Sequence, residues 1–367
     1  MSKDSNSNGR IIGLDSHPDS FTAAMLVVST PASAVVEKVF NHVPMGQLQS
    51  WARKHTNPDD LIVLEASGNS FQGVRSLEAL GRKARVLESC HLGKLKTAHA
   101  NNDRISAVRI GKAYLAGTAK TVWVPDPKTQ ERRDFFHAHQ KAVRHRTQAH
   151  NRLLSYLSDN GVRLTRSIAS PSEAQLRKLA QWTPSQWRVI EGMLMELRHA
   201  TEQRQHWSSI IAQEVAADPL LLSLVRLCGV RDKIAFALGA VICDIRRFAE
   251  PRKLVSYVGL NPSFDDSGQQ TWSGGIGGHG RKDLRSLLIE AAHAILRTSH
   301  PLAKWGKKLT ARKSSVKLAV AAVARRLVVA IWHLMMGRWT TLEEIHQRLK
   351  TGRSYTLDPS LKFKPST

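Results

Sequence analysis

This sequence predicts an α/β layer domain, then a long helical stretch, then a mainly helical C-terminal domain. Three observations predict it. Short, wholly apolar runs alternate with helical patterns between residues 10 and 125. From 128 to 215 the composition turns to Arg, His, Gln, Leu and Ala, with apolar residues at helical spacing. From 316 to 336 an amphipathic pattern continues for several turns. A chain of 367 residues suits two or three domains better than one core. The expected division is a disordered tail over 1–10, an α/β domain over 11–127, a helical arm over 128–215, a C-terminal domain over 216–340 and a tail over 341–367.

The elements follow in order. Ile11 to Leu14 and Phe21 to Val28 flank the turn sequence Ser16-His17-Pro18-Asp19 and predict a hairpin. Val35 to Phe40 predicts a third strand and Gln47 to Lys54 a helix. Leu61-Ile62-Val63-Leu64 is a strand covered on both faces, followed by a helix from Phe71 to Leu80. Ala84 to Leu87 is a further strand, and Asp103 opens a helix that runs to Leu115. In the arm, Ala142, Ala149, Leu153, Leu154 and Leu157 form one helical stripe. Trp187, Ile190, Met193, Leu194 and Leu197 form another within a helix over Gln186–Gln213. The two suit an antiparallel, coiled-coil-like pair, which serves either to join subunits or simply to pack. Two short helices surround Gly229-Val230, and further helices span Arg252–Val258, Leu284–Arg297 and Val316–Met336. In the last of these, Val316, Val320, Val323, Leu327, Ile331 and Leu334 are expected to face inward.

Charge narrows the partners. There are 54 Lys and Arg against 30 Asp and Glu, a formal charge of +24, which favours a polyanion. Ten Lys or Arg and no acid lie between Ala291 and Leu342. No run of 18 uncharged apolar residues and no hydrophobic signal segment is present, so a membrane partner is not expected. Cys90, Cys228 and Cys243 show no paired spacing, which argues against zinc and disulfides. Cys243 reads as a small buried hydrophobe. The expected location is the cytoplasm, in association with the nucleoid.

Two constellations point to chemistry. Asp15 and Glu65 each follow an apolar strand, and Asp103 begins a helix. Carboxylates at neighbouring strand ends can share a divalent cation, Mg²⁺ or Mn²⁺, for phosphodiester chemistry. The plainer reading is separate surface acids and a helix-start residue. The second constellation is the glycine-rich, basic loop from Gly259 to Arg285, a natural cradle for phosphate. It contains Ser267, either a turn residue or a nucleophile. The cations expected to touch nucleic acid are Arg231, His279, Arg281, Lys282, Arg285, Lys304, Lys307, Lys308, Arg312, Lys313 and Lys317.

Five motifs, in order, resemble transposases of the IS110/IS1111 insertion-sequence family over roughly residues 10–340. They are Gly13-x-Asp15; Leu64-Glu65-Ala66-Ser67-Gly68; Asn102-Asp103-Arg104-Ile105-Ser106-Ala107; Val122-Trp123-Val124-Pro125; and Gly259-Leu260-x-Pro262 with Ser267-Gly268, Gly275-Ile276 and Gly280. The resemblance implies a RuvC-like (RNase H-like) first domain and a helix-hairpin-helix-like element at Leu227-Cys228-Gly229-Val230-Arg231. In that element Cys228 and Arg231 stand where the family usually has proline and a second glycine. It implies metal at Asp15, Glu65 and Asp103, with Ser106 at the place of a fourth acid, and Ser267 as covalent nucleophile. It implies donor and target DNA and a structured non-coding (bridge) RNA as partners, and a homo-oligomer, dimer or tetramer. The function so implied is that of a DNA transposase or recombinase. A RuvC-like structure-selective nuclease and a non-catalytic nucleic-acid-binding protein are the alternatives.

Overall fold

The computed structural model describes residues 10–30, 33–89, 92, 102–164, 171–267 and 270–338. It divides into two compact units between Asp126 and Pro127.

The first unit is a six-stranded mixed sheet in the order β3-β2-β1-β4-β5-β6. Its strands are β1 (Ile11–Ser16), β2 (Ser20–Thr30), β3 (Ser33–Pro44), β4 (Leu61–Glu65), β5 (Lys83–Leu87) and β6 (Thr121–Val122). β1, β2 and β3 form an antiparallel meander, while β4 and β5 run parallel to β1. Among the described residues the sheet is flanked by α1 (Leu48–His55), α2 (Ser70–Glu78) and α3 (Asp103–Leu115). Successive side chains on a strand point to opposite faces, so each strand splits its apolar residues between two cores. Ile12, Leu14, Ile62 and Leu64 pack with Trp51, Val74 and Leu77 on the face of α1 and α2. Ile11, Val63 and Leu87 pack with Ile110 and Ala113 of α3 on the other face. Arg10, grouped with the N-terminal tail on sequence, is tied down: its guanidinium pairs with Asp60 at 2.9 Å and Glu37 at 3.3 Å.

The described residues of the second unit are helical apart from one hairpin and the turns between elements. Its helices are α4 (Pro127–Asp159), α5 (Glu173–Leu179), α6 (Pro184–Ala217), α7 (Pro219–Val225), α8 (Asp232–Ile242), α9 (Pro251–Tyr257), α10 (Lys282–Leu296), α11 (Pro301–Lys313) and α12 (Val316–Met335). α4 and α6 are the two long helices expected of the arm. They are antiparallel, because partners step backward along α6 as they advance along α4. Arg132 pairs with Glu214, His139 meets Ser208, and Arg152 pairs with Glu196. Thr183 and Gln186 form a capping box that starts α6, and Gly161 at φ +79° follows the end of α4. Residues 127–338 share this unit, so the arm and the C-terminal helices are not separate bodies.

α12 has the length and hydropathy of a membrane span, yet its apolar residues form the centre of the unit's core. Val316 differs from expectation. As the first residue of the helix it is 57% exposed, while Val320, Val323, Leu327, Ile331 and Leu334 are buried. The glycine-rich stretch also differs from the loop expected of it. Pro262–Ser267 and Gln270–Ile276 pair as an antiparallel hairpin, β7 and β8. Cys243 is only half-buried, and its thiol meets the Thr129 hydroxyl at 2.9 Å. Cys90 lies outside the described residues.

His139 gives this unit a pH dependence. Burial, with help from Lys233 and Arg204, pushes its imidazole down to about 4. The unfolded chain takes up that proton near pH 6.5, whereas the folded one resists until about pH 4. Stability is therefore complete above about pH 6.5 and falls as the pH drops toward 4. The loss from this residue is roughly 3 kcal/mol at the low end of the window. Urea unfolding at pH 7.5, 6 and 5 should show the decline, and His139→Gln should remove part of it, because burial pushes His333 of the same unit down to about 4 as well.

Candidate nucleic-acid-processing site

Asp15 and Glu65 stand on neighbouring parallel strands. The ladder pairs Leu14 with Leu64, and Asp15 and Glu65 are the next residues on each strand. By the alternation of faces, both belong to the face that α3 covers. Glu65 is the last residue of β4 and is partly exposed.

α3 brings the third acid. Its N-cap is Asn102, whose side chain accepts the Ile105 N–H at 2.9 Å. Asp103 is therefore the first helical residue, as expected, and favours the positive end of the helix dipole. Two glycines let the helix lie this close to the sheet. A Cβ on Gly13 would overlap the Ala107 carbonyl oxygen and lie 2.8 Å from the Gly111 nitrogen. A Cβ on Gly111 would overlap a methyl of Leu26. The Gly13-x-Asp15 spacing thus has a steric meaning: one residue admits the helix, and two residues on the acid meets its N-terminus.

Asp15, Asp103 and His17 each offer a ligand atom, and these atoms all lie within 4.8 Å of one another. His17 Nε2 is 3.5 Å from Asp103 Oδ1 and 4.0 Å from Asp15 Oδ2. Across the cluster, His42 Nδ1 is 3.8 Å from the other oxygen of Asp103. Burial, chiefly, and the Asp103 carboxylate push the Asp15 carboxyl above its ordinary range, opposed by His17, a hydrogen bond from Ser106 and Arg109. Ser106 is buried, donates to Asp15 and accepts from Arg109 Nη2 at 3.2 Å. Its hydroxyl sits at the acids, in the role of holding Asp15.

This donor set fits a divalent cation. Two carboxylates kept close together, one of them at an energetic cost, are stabilised by positive charge between them. Glu65 stands on the adjacent strand but is outside the group of three. No sequence pattern singles out His17 or His42. His17 reads as a turn residue and His42 lies in a strand.

In the second unit, the glycine-rich motif closes on itself. Gly259 and Gly280 both have positive φ, at +73° and +86°. They cross so closely that a Cβ on Gly280 would lie 2.6 Å from the Gly259 nitrogen. Arg285 clasps the crossing, donating to the carbonyls of Gly259, Gly277 and His279 at 3.1, 3.2 and 2.8 Å. Arg281 is paired with Asp283 through two hydrogen bonds of 3.0 and 2.5 Å. Both guanidiniums are therefore engaged within the chain. His279 and Lys282 are exposed beside them, and Arg231 is exposed at the start of α8. Gly229, at φ +82°, makes the tight turn between α7 and α8. Ser267 ends β7, paired in register with Gln270 across the hairpin. Gly268 lies outside the described residues.

α11 is two-sided. Leu302, Ala303, Gly306 and Leu309 are buried, while Lys304, Lys307, Lys308, Arg312 and Lys313 are exposed. Lys317, on the first turn of α12, is exposed too. In contrast, Arg325 donates to the Leu260 carbonyl, and Arg326 lies 3.7 Å over the Trp305 ring.

A mixed sheet with flanking helices, acids at adjacent strand ends and a basic helical unit is consistent with RNase H-like enzymes of nucleic acids. Comparison with known proteins points the same way. Residues 223–306 match the family described as Transposase IS116/IS110/IS902. The chain is 25% identical over 287 residues to the transposase for insertion sequence element IS1111A of Coxiella burnetii, covering 76% of this chain and 78% of that protein. It is 25% identical to a probable family 20 transposase of Pseudomonas aeruginosa, covering 76% and 84%. It is 22% identical to the transposase for insertion sequence element IS1328 of Yersinia enterocolitica, covering 89% and 96%. The likeness is at the level of the IS110/IS1111 transposase family, and it spans both units.

Proposed function

We propose that this chain is a transposase that cleaves and rejoins DNA strands, using divalent metal at its acidic site and Ser267 as nucleophile. The observation that carries the reading is the convergence of Asp15 and Asp103, from β1 and α3, in a chain whose relatives are named transposases. Asp15, Asp103 and Glu65 would hold Mg²⁺ or Mn²⁺. Such an ion supplies Lewis-acid polarisation of a phosphodiester oxygen.

The chain's own groups do the rest. Ser106 and Arg109 fix the Asp15 carboxylate. Ser267 Oγ attacks phosphorus, forming a serine phosphoester as a deoxyribose hydroxyl leaves with the proton. Attack by the hydroxyl of another strand reverses the exchange, returns the serine and conserves the bond. The exposed cations of α11, with Arg231, His279 and Lys282, bind phosphates and set position rather than sequence. Sequence choice then falls to base pairing with a structured guide RNA, in a homo-oligomer.

Denaturing electrophoresis of end-labelled DNA tests this reading. Wild-type protein should give a covalent protein–DNA band, and Ser267→Ala should give none while still binding DNA. Equal bands in both proteins place the nucleophile elsewhere. Metal-dependent cleavage without a band in either protein supports a RuvC-like nuclease instead.

A further inference from the structure

We infer that His17 is the nitrogen ligand of the acidic site, completing a three-donor set with Asp15 and Asp103 that takes Mn²⁺ ahead of Mg²⁺. The inference rests on the metal reading of the two aspartates above. It adds a nitrogen donor beside the carboxylates and the choice of ion.

Atoms that share one ion at about 2.1 Å are separated by roughly 3.0–4.2 Å. His17 Nε2 is 3.5 Å from one Asp103 oxygen and 4.0 Å from one Asp15 oxygen. The residue is also held at both ends. Its N–H donates to the Ser20 carbonyl at 2.8 Å, and its carbonyl accepts from Asn69 Nδ2 at 2.7 Å. Asn69 lies at the start of α2, so the β1–β2 turn is tied to the far side of the sheet end. A ligand fixed in this way loses little freedom on binding.

The chemistry of the fourth position points the same way. Ser106, where an acid is expected, gives its hydroxyl to Asp15. The Ser106 hydroxyl is thus engaged, while the His17 imidazole stands beside the Asp15 and Asp103 carboxylates. Mg²⁺ is bound by oxygen, whereas imidazole favours transition ions. Carboxylates joined by one imidazole therefore select Mn²⁺, which also suits carboxylates, over Mg²⁺. His42 supports the set from behind. It lies 3.8 Å from the second Asp103 oxygen, held at φ +50° with its N–H donated to Thr22 Oγ1 at 3.4 Å. A strained residue at a ligand's outer side is the kind of support that aims a carboxylate.

The competing role for His17 is that of a protonated counter-ion to the two acids. A proton on Nε2 occupies the lone pair a metal would use, so the two roles differ spectroscopically. The test uses metal-stripped full-length protein titrated with Mn²⁺ and examined by electron spin-echo envelope modulation. Wild-type protein should show one saturable Mn²⁺ with directly bound ¹⁴N. His17→Ala should lose the nitrogen coupling and weaken Mn²⁺ by about 10–100-fold, with a smaller effect on Mg²⁺. His17→Asp should also lose the coupling, while narrowing the preference for Mn²⁺ over Mg²⁺. The His17 side chain is 47% exposed, so neither change empties a core. Saturable Mn²⁺ without nitrogen coupling in the wild type, or coupling that persists in His17→Ala, overturns the ligand role and leaves the carboxylate site standing. Absence of any Mn²⁺ binding sensitive to Asp15→Asn overturns the metal reading as well.

Discussion

Asp15→Asn is expected to abolish strand cleavage while leaving the first unit as stable as before, or more so. The activity loss should be about 10²–10³-fold or more, the scale for removing a transition-state electrostatic contact. The stability expectation has a separate cause. In the folded chain the Asp15 carboxylate is only 15% exposed and close to Asp103, and its carboxyl is pushed above the usual range. A raised carboxyl means that folding disfavours the charged form, so near neutral pH this charge costs stability. Asparagine keeps the size and the acceptor for Ser106 but removes the charge. Thermal unfolding in chelator should therefore show an equal or higher midpoint for the variant. Added Mn²⁺ should raise the midpoint of the wild type and not that of the variant. A variant that unfolds early in chelator would mean that Asp15 is structural.

Much of this site is legible in the sequence, and the reason is local. A short run such as Leu61-Ile62-Val63-Leu64, with its β-branched centre, reads as a covered strand, which places an acid just after it at a sheet end. Asn102-Asp103 before an apolar helical pattern reads as a cap and first turn, and the helix begins there. His17 is different, because its meaning depends on where the β1–β2 turn lies relative to the start of α3. Nothing within a few residues of it encodes that distance. His42 escapes notice for the same reason, since three strands must assemble before it faces Asp103.

The glycine-rich segment shows the opposite failure. Its composition suggests an open phosphate cradle, whereas the residues pair as a hairpin and the glycines cross under Arg285. Gly259 and Gly280 are needed for close approach of backbone to backbone, and Arg285 satisfies carbonyls that no strand partner reaches. Basic character alone does not separate such a clasp from the exposed row on α11. Burial and hydrogen-bond partners do, and these arise only in the folded unit.

Gly13→Ala should unfold or badly distort the first unit, and with it the acidic site. The residue lies within β1, where Ile12 and Leu14 are fully buried, so the strand cannot shift outward without opening the core. The added methyl would overlap the Ala107 carbonyl oxygen and crowd the Gly111 nitrogen. Both are backbone atoms of α3, and neither can turn aside as a side chain can. The helix must lift away, taking Asp103, Ser106 and Arg109 from Asp15. The expected cost is at or above the upper end of the roughly 1–3 kcal/mol typical of overpacking. Gly111→Ala is the informative contrast. There the methyl meets the end of the Leu26 side chain, which another rotamer or a smaller residue relieves. Leu26→Ala, costly alone because Leu26 is fully buried, should therefore cost less in the Gly111→Ala background than in the wild type, and no less in the Gly13→Ala background. Urea unfolding of the six proteins, wild type and Leu26→Ala included, measures this, with Mn²⁺ binding as the second readout. If Gly13→Ala keeps wild-type stability and metal affinity, α3 does not pack on β1 through this glycine, and the steric account of the Gly13-x-Asp15 spacing fails.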